Sequence, residues 1–390
     1  MDKLRPYELA MIRWLVVHGS STRAALSDEL GLSYTSSSRA AQRLVSLGFA
    51  VEESADTVDR LGRPQRELSI DPNAAHVVGI VIKDRAIYAV GCDLQGRIVT
   101  RATASVPGRG KSFDKVVERI AGLARQIADE LPTFDAIGVS IGGVVTESRW
   151  VKRSAFLDWA PDADLAGQLG LAFDKVPVTV ANDVAALCHD YILFGDGRLA
   201  PNFGLITVGR GIGFGSADLG RLPERIDDGH LMTHSPIGGN RTCHLGHTGC
   251  AAAYLERQSA VVEVSGKPQQ SSFTAIRNAL TTGSIPRLGR LNNPDDAAQL
   301  LNEASVALGH LVATYAGALQ TRKMILGGED VSALTPPDSP FWNILTDRTS
   351  TSLGRDFDPQ IDVSILDTDP RDWARGAAAV AVHELLASEA

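Results

Sequence analysis

Apolar residues recur at helical spacing near the amino terminus, at Leu9, Ile12, Leu15 and Val16, and predict one buried stripe. After Gly19 a second helix is expected, with Ser21 or Thr22 as its N-cap and Ala25, Leu26 and Leu30 turned inward. Gly31 breaks it, Leu32 plugs the turn, and Ser33 is placed to cap a third helix. There Ala41, Leu44 and Val45 are expected to face the core, leaving Tyr34, Thr35, Ser37, Ser38, Arg39, Gln42 and Arg43 outward until Gly48 stops the helix. Two alternating segments follow, Phe49–Glu52 and Arg66–Ile70, with Arg60, Leu61, Gly62, Arg63 and Pro64 between them. Helix, turn, helix and hairpin in this order predict a winged helix-turn-helix over residues 1–72. Its third helix would meet base edges, with an arginine or two on phosphate, and the wing would add Arg60 and Arg63 to the DNA contacts, with Arg63 of the Gly-Arg-Pro tip entering a minor groove. The same pattern also fits a three-helix interaction module with a basic hairpin.

Beyond Asp71-Pro72 the periodicity changes to that of strands. Val77–Ile82, Ala86–Val90 and Ile98–Thr100 read as an antiparallel meander, and Phe113–Leu131 as a helix with Val116, Val117, Ile120, Leu123, Ala124 and Ile127 on one face. A strand at Ala136–Ile141 then ends at Gly142-Gly143. Three strands, a helix and a further strand open an actin-like ATPase lobe. Later come a strand at Val178–Val180 before Asn182-Asp183, a helix from Val184, and a strand at Gly204–Val208 running into glycines 209, 211, 213 and 215. A His-rich insertion spans about 220–255, and residues 266–294 read as a region of small helices. A long helix from about Asp295 to Leu319, a strand at Met324–Leu326 before Gly327-Gly328, and a helix from about Asp372 to Ala387 complete the chain. No internal repeat is visible. The fold class expected is α/β: a winged head and a two-lobed, sugar-kinase-like body over 73–390.

Composition changes this picture little. Of 390 residues 44% are hydrophobic and 22% charged, as in ordinary globular proteins, and no apolar run reaches membrane-spanning length. The amino terminus lacks the apolar core of a signal peptide, so a cytoplasmic, reduced setting is expected. The net charge of −8 argues against a general nucleic-acid binder and favours a locally basic head on an acidic body. Cys92 and Cys188 read as isolated buried thiols, whereas Cys243 and Cys250 lie close in sequence.

Taken together, a wing with Gly-Arg-Pro, a meander, Asn-Asp after a strand, a Gly-x-Gly-x-Gly loop and a His/Cys cluster resemble the ROK family, which joins repressors, uncharacterised frames and sugar kinases. The resemblance covers essentially the whole chain, and the regulator branch is the one that carries a winged head. In the kinases the first strand ends in a phosphate loop of type Asp-x-Gly-Gly-Thr. The matching stretch here is Val81-Ile82-Lys83-Asp84-Arg85, where a valine cannot orient hydrated metal and bulky side chains keep the backbone from phosphate. No ATP use is therefore expected. Asn182 and Asp183 match the family's sugar-binding Asn and base Asp, and Asp183 is expected to persist as an acceptor for sugar hydroxyls; an Asx cap on the following helix fits the same residues. Phe156 and Ala252 stand where the family has sugar-contacting Asn and Glu.

Further ligand candidates are Asp227, near a sugar-binding Glu position, and His230. The family's zinc element implies His230, Cys243, His247 and Cys250 as ligands of a structural Zn, with Leu245 at a usual Cys position and His234 a rival for the first ligand. A metal-free loop held by glycine turns is the alternative. The resemblance as a whole implies a regulator, in the repressor sense, that binds an inverted-repeat operator as a homodimer or higher oligomer and responds to a sugar in the interlobe cleft. A ROK sugar kinase with a DNA-binding head, or a regulator that has lost sugar binding, are the alternatives.

Overall fold

The computed structural model describes residues 4–54, 66–107, 112–154, 156–174, 176–195, 200, 202–218, 225–226, 232–351, 360–366 and 369–388. The chain gathers into two compact units, Met1–Leu199 with Asp369–Ala390, and Ala200–Thr368.

The first unit begins with α1 (Pro6–His18), β1 (Ser21–Thr22), α2 (Arg23–Glu29), α3 (Tyr34–Ser46), β2 (Ala50–Ser54) and β3 (Arg66–Ile70). The strands pair antiparallel in the order β1-β3-β2. Thr22 caps α2 by accepting the Ala25 N–H, and Ser33 caps α3 by accepting the Ser36 N–H. Leu9, Met11, Ile12 and Leu15 of α1, Leu26 of α2, and Ala41 and Leu44 of α3 make the core, closed by Leu68 and Ile70.

Three positions depart from the expected phase. The inner face of α3 runs 37, 40, 41, 44, so Ser37 is buried and Val45 is 39% exposed. Ser37 fits because it is small and its hydroxyl donates to the Arg23 carbonyl (2.9 Å), which draws α3 close to α2. Val45, one residue beyond Leu44, is turned about 100° off that face. In α2 it is Ser27, not Ala25, that is buried beside Leu26, with its hydroxyl donating to the Leu32 carbonyl.

The body of this unit is one sheet. Its strands are β4 (His76–Ile82), β5 (Ala86–Asp93), β6 (Ile98–Ser105), β7 (Ala136–Ile141) and, beyond a small antiparallel sheet of β8 (Gly143–Thr146), β9 (Trp150–Ser154) and β10 (Ala163–Asp164), β11 (Val178–Asn182). The order is β6-β5-β4-β7-β11, with β4 antiparallel to β5 and parallel to β7. Helices α4 (Phe113–Ala128), α5 (Leu165–Gly170) and α6 (Asp183–Leu193) lie between strands in sequence. Every residue of β4 is buried, as a central strand covered on both faces requires.

The second unit contains β12 (Asn202–Val208), β13 (Ile212–Asp218), β14 (Arg225–Ile226), α7 (Ala252–Leu255), the hairpin β15 (Val261–Val264) and β16 (Lys267–Gln270), and α8 (Phe273–Thr282). It continues with β17 (Ser284–Ile285), β18 (Gly289–Arg290), α9 (Pro294–Leu319), β19 (Lys323–Gly327), α10 (Val331–Leu334), α11 (Pro340–Thr351) and β20 (Asp362–Ile365). Its sheet order, β14-β13-β12-β19-β20, repeats the first: a meander on one side of the first strand, parallel strands on the other. This duplication has no counterpart in the residues themselves. Gly328, at φ +102°, lies so close to Val208 that any side chain would strike its carbonyl.

The last helix, α12 (Pro370–Ser388), returns to the first unit and packs on β4, β5 and β7. A methyl group at Gly79 or Gly138 would overlap the carbonyl oxygen of Ala374 or Ala377, so glycines in the strands face alanines in the helix. Among the described residues no helix is long and apolar enough to cross a membrane.

Candidate effector site, metal centre and nucleic-acid interface

The turn between β4 and β5 closes tightly, with the Lys83 N–H donating to the Ala86 carbonyl (2.9 Å). Val81 is fully buried in β4 opposite Tyr88. The phosphate-loop position thus holds a short hairpin tip whose most consequential side chain is Lys83. Its ammonium donates to Asp183 Oδ2 (3.3 Å) and lies 3.3 Å from the centre of the Trp373 ring. Both charges are largely covered, with side-chain exposures of 30% and 17%, so water screens them less than a surface pair.

Asn182 and Asp183 stand where β11 turns into α6. Asn182 Oδ1 accepts the N–H groups of Val184 and Ala185 (2.8 and 3.3 Å), and its amide donates to the Gly143 carbonyl (2.7 Å). It is therefore the helix cap, which leaves Asp183 as the polar group presented beside Lys83. Gly142 is in contact range of both Phe156 and Asp183, so Phe156 forms an apolar wall next to the carboxylate. Sequence reasoning noted Lys83 only as a lost glycine and passed over Trp373. Neither residue has a spacing that signals their meeting, which depends on α12 returning across the sheet.

In the second unit His234, Cys243, His247 and Cys250 converge, their ligand atoms all within 4.8 Å of one another. His234 Nδ1 lies 3.3 Å from His247 Nδ1 and 3.8 Å from both sulfurs. A zinc tetrahedron with ordinary bond lengths has N–N edges of about 3.3 Å and N–S edges of about 3.6 Å, so the donor set fits that ion. The loop is shaped for it. The Cys243 N–H donates to the His247 carbonyl and the Cys243 carbonyl accepts from Gly246 (both 2.9 Å), across a turn whose apex, Leu245, is 59% exposed. Burial would raise the Cys243 thiol, but the backbone amides of Leu245 and His247 and the Cys250 thiol hold it below the usual range, which favours the thiolate a metal needs. His234, the rival to the His230 that the family resemblance implies as first ligand, completes the set of four among the described residues. His230 and Asp227 lie outside the described residues.

On the head, Tyr34 (64% exposed), Thr35 and Arg39 face solvent along the first turns of α3, as a reading helix requires. Ser38 is half-buried and accepts a hydrogen bond from Arg23 (2.8 Å). Two expected contacts serve the fold instead. Ser37 is the buried α2–α3 contact described above, and Arg43 pairs with the buried carboxylate of Glu8 (2.6 Å), tying α3 to α1. Arg60 and Arg63 lie outside the described residues.

Two five-stranded sheets of the same strand order, one in each unit, define an actin-like ATPase body of sugar-kinase type, and three helices with a small three-stranded sheet precede it in the chain. The sequence model of the ROK family matches residues 79–360, and the chain belongs to that family. It is 22% identical to the xylose repressor of Bacillus subtilis (strain 168) over 289 residues, covering 73% of this chain and 74% of the repressor. It is 27% identical over 209 residues to a glucokinase of Halalkalibacterium halodurans, covering 50% of this chain and 62% of that enzyme. The crystal structure of a ROK family transcriptional regulator, described as a homologue of the E. coli MLC protein, superposes with a TM-score of 0.72, 18% identity and 98% and 97% coverage of the two chains.

Proposed function

We propose that the protein is a sugar-responsive transcriptional regulator, acting as a repressor in the cytoplasm, whose head over 1–72 reads an inverted-repeat operator and whose ROK body over 73–390 binds a sugar or sugar derivative. A homodimer or higher oligomer matches the two half-sites. The observation that carries this reading is a reading helix, solvent-facing at Tyr34, Thr35 and Arg39, on a body whose phosphate turn is closed and whose Asp183 is paired with Lys83. A turn of bulky residues offers phosphate no cradle. The family likeness to both a repressor and a glucokinase is thereby weighted toward regulation without phosphoryl transfer. Asp183 supplies the principal sugar contact, with the second amide hydrogen of the capping Asn182 beside it and Asp227 and His230 as further candidates, and His234, Cys243, His247 and Cys250 hold a structural zinc ion.

Two measurements test this. A thermal-shift panel including glucose and xylose is expected to find a stabilising sugar, worth about 2.7 kcal/mol at a hundred times its Kd. That stabilisation should vanish in Asp183→Asn, while ATP-dependent phosphorylation of any panel sugar would make the protein a kinase instead. Arg39→Ala is expected to cost about 1–3 kcal/mol of operator affinity and relax specificity at one base pair. Arg63→Ala should lower the salt slope of binding by about one unit. Unchanged affinity and slope in both variants would remove α3 and the wing from the interface.

A further inference from the structure

We propose that Lys83 is the switch by which an occupant of the Asp183 site acts on the amino-terminal head, an inference that rests on the function proposed above. Lys83 touches two helices at once: Asp183 is the first residue of α6, and Trp373 lies in the first turn of α12. From that junction the two helices run on as a fastened pair. Arg375 makes two hydrogen bonds to Asp190 (2.7 and 2.9 Å), the rings of His189 and His383 touch at a 60° tilt with centroids 4.8 Å apart, and Gly376 lies against the Ala186 carbonyl. The 19 residues of α12 span about 28 Å. Near its far end the Leu386 carbonyl accepts a hydrogen bond from Arg13 of α1 (3.0 Å), and α1 rests on both α6 and α12. The first helix of the head is thus seated on the two helices that Lys83 clasps at their starts.

The carboxylate that would receive a sugar hydroxyl is the one the ammonium holds. An incoming hydroxyl donates to Asp183 and competes with Lys83, which keeps its contact with the Trp373 ring. The clasp therefore has two states, and a ligand that favours one of them shifts whatever is packed on the helices.

The test needs no identified sugar. In the full-length protein, Lys83→Met and Asp183→Asn both open the clasp, and Lys83→Arg keeps it. Hydrogen exchange of residues 6–18 is expected to quicken in the first two variants. Affinity for a duplex selected from random sequence by the wild-type protein should shift about tenfold in the same direction in each. The double variant should shift no further, and Lys83→Arg should behave as wild type; Lys83→Gln replaces Lys83→Met should that variant not fold. A merely structural ion pair would lower Tm and leave both readouts unmoved, which overturns the proposal, as does an additive shift in the double variant. A glucose or xylose thermal shift lost in Asp183→Asn, together with unmoved exchange in Lys83→Met, removes the switch and leaves the sugar site standing. Moved exchange with no sugar stabilisation does the reverse.

Discussion

Replacing Cys250 with Ser is expected to release one zinc ion per chain and to lower Tm by about 10 °C. The segment around the four ligands is tied to the rest of the second unit by Ser235 with Tyr315 (2.6 Å), Arg241 with Glu303 and His244 with Glu256 (3.3 Å), but has little regular structure of its own. Among described residues 232–251 the strand-like pairings are two isolated bridges, Thr242 with Thr248 and Pro236 with Cys250, and the small core beside the ligands is Cys243, Cys250, Ala252 and Ala253 with Tyr254 against them. Metal binding to such a loop is folding free energy for the loop. Because the rest of the second unit has its own core around α8 and α9, the loss should be partial, of order 3–5 kcal/mol, rather than complete unfolding. Elemental analysis and calorimetry of the variant check it. Leu245→Ala is the control: at an exposed apex it should retain zinc and shift stability by no more than about 0.5 kcal/mol. Wild-type protein stripped of zinc that keeps its full Tm would show that the loop stands without metal.

Asp190→Ala is expected to destabilise the first unit by about 3 kcal/mol, because it leaves the Arg375 guanidinium part-buried between α6 and α12 without its bidentate partner. Chemical denaturation should show the midpoint falling at nearly constant m-value. Removing both charges should cost much less: Asp190→Leu with Arg375→Met fills similar volume and strands no ion, and it is expected to recover most of the loss. Equal losses in the single and double variants would mean that the site depends on shape and not on the unpaired charge. The same pair fastens the helices clasped by Lys83, so the single variant should also weaken any sugar effect on operator binding.

Local chemistry was legible wherever a segment's own periodicity decides its state. The caps at Thr22 and Ser33, the amphipathic α4 and α9, and the fully apolar β4 follow from side-chain spacing and short-range hydrogen bonding. Phase within a helix was less secure. Ser37 and Val45 exchange their expected places because α2 approaches α3 closely enough to reward a small residue with a hydroxyl, and only the neighbouring helix makes that contact. The metal ligands were recognisable as residue types, but four histidines in one insertion (His230, His234, His244 and His247) leave the choice among them to the path of the loop.

Asp183 could be picked out from its place after a strand, and the loss of a phosphate loop from bulky residues at 81–85. Nothing in those stretches says that Lys83 reaches back to Asp183, or that Trp373, nearly three hundred residues later in the chain, floors the pair. Nor does any residue pattern betray that one sheet order is used twice. Helix, strand and turn are settled by interactions within a few residues, which composition and period record. Which charges meet, and which helix carries a signal to which, depends on long-range packing, where glycines at 79 and 138 admit α12 and bring together residues that the linear chain keeps apart.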